Sequence, residues 1–232
     1  QHGPNTALET DLAMAYEMSR MASARLYPQI LIIPAIPWGM SAYHMDFPGS
    51  ISMRPETVLD TLRDVFSSLQ KMGLNNWMIT NFHSGNEGII SVAVQAIGAE
   101  LKPNFLGSVS LAQLEPDNIE RQVRKTQIVG HGCEVETAEL MYVRPDLVCV
   151  DDIEAGKLRQ ENIGRRRRFF GNGIRLSWSF ADGTDNGALG DSRFASFEGG
   201  QNLVEGMMDE FMDILHQLIE HWIDSSSGIA SN

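Results

Sequence analysis

The chain has 232 residues, 43% of them hydrophobic and 21% charged, which suits one α/β domain or at most two small ones and argues against a disordered protein. Its 18 basic and 30 acidic residues give a formal charge of −12, so we expect no nucleic-acid partner. The longest apolar run is broken by Pro34 and Pro37 and falls short of the roughly 20 residues that span a bilayer, so we expect no membrane partner. With two cysteines and no visible signal peptide, we expect a cytoplasmic protein.

The first half of the sequence predicts helices that alternate with strands. In chain order, we expect a helix at 10–26, a buried strand at 30–36, a helix at 55–73, a strand at 75–80, a helix at 87–101 and a strand at 105–114. Pro55 in the first turn and Gly73 after the last turn are typical of helix ends.

The second half is less regular. We expect a loop or short helix at 115–130, a helix at 135–143, a short strand at 147–150, irregular chain at 151–196, a long amphipathic helix at 198–223 and a flexible tail at 225–232. Strands that alternate with helices indicate an α/β fold with a mostly parallel sheet and helices on both faces. We see no clear boundary within residues 1–224 and predict one domain there.

The stretch 81-NFHSGNEG-88 places His83 on a turn of small residues where a predicted strand ends. Ligands of parallel α/β sheets collect at the carboxyl ends of strands. Asn81 and Asn86 can hydrogen-bond such a turn and orient the imidazole. A plain strand-to-helix turn with a solvent-facing histidine is an equally good interpretation of this stretch alone.

Four of the six histidines lie on predicted loops beside Gly or Pro: His2, His44, His83 and His131. The other two, His216 and His221, lie five residues apart on the last helix, do not share a face, and are interpreted as ordinary helix residues.

Two of the loop histidines are followed by carboxylates. Asp11 follows His2, and Glu136 follows His131. Imidazole and carboxylate ligands suit Zn, Mn or Fe(II), and two such ions that share a carboxylate form a common hydrolytic site. No single pair is specific, but the four loop histidines together favour a metal centre.

Competing chemistries have weaker support. The sequence has no G-x-S-x-G elbow, P-loop or G-x-G-x-x-G that opens a helix. Cys133 is a conceivable nucleophile near His131, or a small packed residue. The basic cluster Arg165 to Arg168 is a solvated loop or subunit contact, or else an anion-binding rim. Trp38 and Trp178 lie near predicted loops and could line a pocket.

Five stretches, in order along the chain, resemble the motifs of the creatininase (creatinine amidohydrolase) family. The stretch at 1–11 is similar to E-Q-H-G-P-H-L-P-L-x-T-D, the stretch at 38–52 to G-x-S-x-E-H-x-x-F-P-G-T, 81–86 to N-G-H-G-G-N, 131–148 to H-A-G-x-x-E-T-S-x-M-L-x-x-R-P-x-L-V, and 187–196 to G-x-x-G-D-P-x-x-A-T. The likeness covers most of the chain.

The resemblance implies a three-layer αβα fold and an amidohydrolase with two divalent ions, Zn, Mn or Fe. Such an enzyme cleaves a non-peptide C–N bond of a small cyclic amide or formamide with a hydroxide that the metals activate. It also implies a homo-oligomer, commonly a hexamer. Other functions that remain open are a catalytically impaired metal-binding protein, a metal-dependent lyase or isomerase, and a peptidase on the same fold.

Carried over position by position, the resemblance assigns roles to six residues. The metal ligands would be His2, Asp11, His83 and Glu136, with Asp11 as the bridging carboxylate. His131 would be the catalytic imidazole that protonates the leaving nitrogen. His44 would lie at the pocket edge, from the same chain or a neighbouring subunit. We predict that the substrate-binding residues are His44 together with Trp38, Ser84 and Trp178, which the resemblance does not assign.

Several positions depart from the pattern of true creatininases. The family's first ligand is a Glu directly before the position of Gln1, so we expect either a ligand upstream of Gln1 or a weakened site. A family Glu is replaced by Gly85, a Trp by Gln127, and the usual His and Pro by Asn5 and Ala7. The resemblance therefore favours the N-G-H-G-G-N branch. That branch includes formamide deformylases of flavin and deazaflavin synthesis and a maturation peptidase for a peptide-derived redox cofactor.

Overall fold

The computed structural model describes residues 1–114, 116–167 and 176–223. Its α-helices, in chain order, are α1 (Thr10–Leu26), α2 (Pro55–Lys71), α3 (Glu87–Leu101), α4 (Asp117–Val123), α5 (Glu134–Val143), α6 (Gln160–Arg167) and α7 (Phe197–Leu218). Residues Ile219–Ile223 continue α7 as a π-helix. The predicted tail at 225–232 lies outside the described residues.

Two strands, β1 (Asn76–Asn81) and β2 (Phe105–Ser110), pair in parallel. Asn76 lies opposite Phe105 and Asn81 opposite Ser110. Parallel neighbours need a long crossover between them, and α3 supplies it. The predicted β-α-β order and parallel pairing are therefore confirmed in this part of the chain.

Two predicted strands are wrong. Residues 30–36 form no regular structure, and Leu31 and Ile33 are 64% and 44% exposed. Pro34 lacks the N–H that a sheet partner would need, so the apolar run does not enter the sheet. The stretch 147–150 forms parts of two 3₁₀ turns, and Val148 makes only an isolated bridge to Thr6.

The described chain divides into two compact units. The first contains Gln1–Met14, Ser41–Ser52 and Glu115–Glu205, and the second contains Ala15–Met40, Met53–Leu114 and Gly206–Asn232. The single domain predicted for 1–224 stays a prediction.

The second unit has an apolar core between α2, β1 and α3. Leu62 and Phe66 of α2 meet Trp77 of β1 and Ile97 of α3. The rings of Phe66 and Trp77 stack with centroids 4.8 Å apart. Burial of such side chains contributes roughly 1.5–3 kcal/mol each, so this cluster fixes the helices on the strand.

The first unit is built from shorter helices and loops. Val123 of α4 and Leu203 of α7 pack with Ala138 of α5. The approach of α7 to α5 is so close that a Cβ at Gly200 would lie 1.7 Å from the Ala138 carbonyl oxygen. Only glycine allows this contact without a shift of the helices.

None of the described helices combines the length and apolar character that crossing a lipid bilayer requires.

Candidate metal centre

Three buried histidines lie ring against ring in the first unit. The ring centroids of His2 and His131 are 4.3 Å apart, and those of His131 and His44 are 4.4 Å apart. Their exposed fractions are only 1–5%, with His44 the lowest and His131 the highest. Because water barely reaches these imidazoles, neighbouring charges decide which of them holds a proton.

Two carboxylates face this row of histidines. Nε2 of His2 lies 3.2 Å from Oδ1 of Asp11 and 3.8 Å from Oε2 of Glu136. Both carboxylates lie in the first turn of a helix, Asp11 in α1 and Glu136 in α5, where exposed N–H groups stabilise negative charge. Both carboxylates thus face His2 from the N-terminal turns of their helices.

Gly132 joins three members of this cluster. It follows His131 directly, and its N–H donates a 2.6 Å hydrogen bond to Oε2 of Glu136. Its φ is +52°, and a Cβ there would lie 2.6 Å from the carbonyl oxygen of His2. A side chain at this position would therefore push apart the backbones that carry the two histidines.

Burial and charge move the pKa values of two histidines in opposite directions. Burial lowers the pKa of His2, but the charge and hydrogen bond of Asp11 and the charge of Glu136 outweigh it and leave that pKa raised. For His131, burial and the positive charges of His2 and His44 put the pKa well below the 6.5 of a free imidazole. His131 is therefore neutral at pH 7.

The donor set fits a divalent cation. His2, His131 and Glu136 each offer a ligand atom, and these atoms lie within 4.8 Å of one another. Donors bound to one Zn²⁺ or a similar ion lie about 3–4 Å apart, so small shifts would complete a site. Nδ1 of His2 is buried without a hydrogen-bond partner among the described residues. Buried polar atoms are usually hydrogen-bonded, so this exception is consistent with a nitrogen that binds a metal ion.

Phe180 closes one side of the histidine row. Its ring lies 4.2 Å from that of His44 and 4.6 Å from that of His131. Trp178 follows at 5.2 Å from Phe180 and is half-buried. Ser179 caps the short turn that carries Phe180, since its hydroxyl accepts a hydrogen bond from the N–H of Ala181.

A family model described as "Creatininase: Creatinine amidohydrolase" matches residues 1–215. The chain belongs to the creatininase family. A "Mycofactocin precursor peptide peptidase" of Mycobacterium ulcerans (strain Agy99) is 25% identical over 219 residues, which cover 90% of this chain and 78% of that protein. The predicted branch, distinct from true creatininases, is therefore confirmed.

Solved structures show that the chain has the creatininase fold. A structure from Bacteroides fragilis NCTC 9343 superposes with a TM-score of 0.81 at 19% identity, covering 95% of this chain and 86% of that one. A structure named "Creatininase Mn" gives 0.78 at 20% identity, with 94% and 86% covered. The predicted α/β class and creatininase-like layers are confirmed by this likeness.

Among the residues to which creatininase motifs assign roles, five meet in the first unit: His2, Asp11, His44, His131 and Glu136. His44 contacts His131 within one chain, so it needs no neighbouring subunit to do so. Trp178 reaches this group through Phe180. Whether each residue binds metal or substrate stays a prediction.

The other three predicted residues, His83, Ser84 and Trp38, lie in the second unit. Nε2 of His83 donates to the Met40 carbonyl at 3.1 Å, and Nδ2 of Asn81 donates to the His83 carbonyl at 2.9 Å. Asn86 accepts from the N–H of Met40 at 2.8 Å. Both asparagines therefore hydrogen-bond the turn as expected. The role of His83 as a metal ligand stays a prediction.

Two alternatives from the sequence have different outcomes. Cys133 is 1% exposed and burial raises the pKa of its thiol, so it is a packed residue and not a nucleophile. The side chains of Arg165 to Arg168 lie outside the described part of the structure, so the anion-binding hypothesis has no test here.

Glu134 was not predicted from the sequence to support the site. Oε1 of this buried carboxylate accepts hydrogen bonds from the N–H of Lys125 and from the N–H and hydroxyl of Thr126, and Oε2 accepts from the N–H of Asp191. These bonds outweigh burial and leave the pKa of Glu134 lowered. An acidic residue two positions before Glu136 was the only signal, and it did not indicate which distant groups it would bind.

Proposed function

We propose that the chain is a metal-dependent hydrolase that cleaves an amide C–N bond. The observation that carries the proposal is the group of imidazole and carboxylate donors, His2, His131 and Glu136, within 4.8 Å of one another and with Asp11 against His2. The metal-binding members among its structural neighbours include a "Zn-Zn type" mutant creatininase and "Creatininase Mn". Membership of a hydrolase family supports the same reaction class.

Two divalent cations, when bound, would lower the pKa of a water molecule toward neutrality and polarise the amide carbonyl. His2, Asp11 and Glu136 would hold them, and the family motif assigns His83 the same role. Glu136 is oriented for this by the N–H of Gly132. Asp11, whose Oδ1 lies 3.2 Å from Nε2 of His2, would contribute its carboxylate to the same cations.

His131 is the residue that would move a proton. Its Nε2 donates to the carbonyl of Gln1, so Nδ1 carries the lone pair. The lowered pKa keeps this nitrogen unprotonated at pH 7, ready to take the proton that the attacking water releases. The same atom then delivers the proton to the leaving nitrogen, which must become an amine to depart.

The substrate of the proposed reaction is a small cyclic amide or a formamide. A second candidate is a peptide bond in a short precursor peptide, and the name of the Mycobacterium ulcerans relative favours it. Trp178 and His44 would contact either substrate beside the donors, and we keep substrate binding as the proposed role of Trp38 and Ser84. We also propose a cytoplasmic homo-oligomer, with a hexamer as the first state to test by light scattering.

The full-length protein, stripped with a chelator and reloaded with Zn²⁺, Mn²⁺ or Fe²⁺, tests the proposal. A panel of cyclic amides, formamides and short peptides should yield an acid and an amine from one class only, and only after reloading. Mass spectrometry identifies the products and so separates the two substrate classes. A product without added water would indicate a lyase or isomerase, and metal uptake without turnover across the panel would indicate an impaired family member.

A further inference from the structure

The backbone of Gly132 contacts three of the candidate ligands of the first unit. Gly132 neighbours His131 in the chain, lies against the backbone of His2, and donates to Glu136. The Gly132 N–H and the Gly132 carbonyl lie in the two peptide groups on either side of its Cα, so a turn of the carbonyl would change the backbone angles at Gly132 and shift the N–H and His131 with it. What holds the Gly132 carbonyl in place therefore matters as much as the ligands themselves.

Asn5 holds that carbonyl. Its side chain is fully buried, with 0% exposure. Nδ2 donates to the Gly132 carbonyl at 2.8 Å and to Oγ of Ser192 at 2.9 Å, while Oδ1 accepts from the N–H of Glu154 at 2.9 Å. Both N–H groups and the oxygen of the amide are thus in use, and each partner comes from a different segment.

Ser192 completes the arrangement. Its hydroxyl accepts from Asn5 and from Oγ1 of Thr137 at 2.9 Å, and it donates to the Gly132 carbonyl at 2.8 Å. A hydroxyl has one hydrogen and two lone pairs, and here all three are used. The Gly132 oxygen likewise accepts two hydrogen bonds. This full use fixes every bond direction in the network and leaves the Gly132 peptide one orientation.

We propose that Asn5 is a positioning residue that, with Ser192, sets the orientation of the Gly132 peptide and so the metal affinity of His2 and Glu136. The inference rests on the proposed function, because it requires that these residues bind a cation. Residues that orient metal ligands through hydrogen bonds change metal affinity by about 10–100-fold when they are removed. Asn5 touches neither the cation nor the substrate in this role.

The test is metal binding by the full-length, metal-free protein, measured by calorimetry and by competition with a chromogenic chelator, with Zn²⁺ and Mn²⁺ as probes. Asn5→Ala should weaken binding by about 10-fold or more. Val123→Ala is the matched control, since it removes buried methyl groups from the same unit and none of the bonds around Gly132. It should lower the Tm and leave the affinity unchanged.

Ser192→Ala and the double variant make the test specific and provide a second route if Asn5→Ala does not fold. Because Asn5 and Ser192 act on one carbonyl, their losses in metal affinity should not add. Equal affinity in Asn5→Ala and the unaltered protein, with only a lower Tm, would overturn the positioning role while the proposed function stands. An unaltered protein that takes up neither ion would overturn both.

Discussion

The two compact units bury different kinds of side chain. Within the described residues, the buried polar and charged side chains all belong to the first unit, with Asn81 as the exception. The second unit is centred on Leu62, Phe66, Trp77 and Ile97. Buried polar groups cost free energy unless each finds a partner, whereas apolar groups only need to be covered. The first unit is therefore built for one exact geometry and the second for stability.

Function and folding depend on different groups of residues in this chain. Hydrogen bonds are directional, so a fully paired network such as that around Gly132 permits one arrangement of donors. Apolar packing tolerates small shifts and supplies most of the free energy of folding. Substitutions in the hydrogen-bond network around Gly132 should thus change metal binding and turnover, and those in the apolar cluster of the second unit should change the free energy of unfolding.

The largest expected effect comes from His2→Ala. It removes a buried donor and leaves Asp11 and Glu136 facing each other, so metal content and turnover should both fall by more than about a hundredfold. Elemental analysis of the purified protein measures the first and product release the second. His216→Ala, which removes an exposed histidine from α7, is the control and should change neither. A His2→Ala protein with full metal content would contradict the assignment.

His83→Ala tests the role of metal ligand that the family motif assigns to His83. We expect the variant to bind metal more weakly while it remains folded. The hydrogen bond from Nε2 to the Met40 carbonyl orients the ring, but its loss should change the free energy of unfolding little. Ser84→Ala in the same turn should retain metal. If His83→Ala binds Zn²⁺ and Mn²⁺ as tightly as the unaltered protein, the predicted role of His83 as a metal ligand is wrong.

His131→Ala separates proton transfer from metal binding. A general acid–base residue contributes about 10²–10⁴-fold to turnover, so kcat should fall by that factor while metal content is largely retained. Steady-state kinetics and elemental analysis on one preparation make the measurement. Loss of metal together with kcat would instead make His131 a ligand, a role that its place within 4.8 Å of the other donors also allows.

Ile97→Ala probes the second unit. The side chain is fully buried on α3, so its truncation should lower the free energy of unfolding by about 2–5 kcal/mol. Urea unfolding gives the value, and Val92→Ala on the same helix, where the side chain is 52% exposed, should stay within about 0.5 kcal/mol. A change in metal affinity at temperatures where Ile97→Ala is folded would show that the two units are not separable in function.

The smallest expected effect is a pH dependence of the metal-free protein. Burial holds the pKa of His131 well below 6.5 in the folded state, so below that pH the unfolded chain binds a proton that the folded chain does not. Stability should therefore fall as pH drops, by up to roughly 1 kcal/mol per pH unit. His131→Asn should flatten this dependence between pH 7 and 5 in urea titrations. An unchanged slope would mean that His131 takes up a proton in the fold.

Much of the secondary structure could be predicted from local signals. Helices α1, α2 and α3 have helical periodicity in the sequence, and Pro55 marks the start of α2, so their bounds matched within two residues. The strand predicted at 30–36 was wrong. The hydrophobicity of a segment favours burial, but it does not show that another strand lies beside the segment to pair with it. Sheet pairing is a long-range property that the run itself does not contain.

The candidate site was predictable only in part. Family motifs indicated His2, Asp11 and Glu136, and the structure brings these three together. The supporting residues Asn5 and Glu134 were not found, because their partners are distant in sequence: Asn5 binds Gly132, 127 positions away. A hydrogen bond between positions so far apart produces no periodic pattern in the sequence, so the sequence alone does not reveal it.

The bonds from Glu134 back to Thr126 close a short loop that leads into His131. Closing a loop of this length costs little entropy, and its two ends are held independently of what lies between. Ile128 within this loop packs against the cluster that contains Phe180, so a substitution there would change the apolar wall beside His131 while the ends of the loop stay held. This segment is where descendants of the protein could acquire new substrate preferences while keeping the same chemistry, and where a library of random substitutions would best be placed.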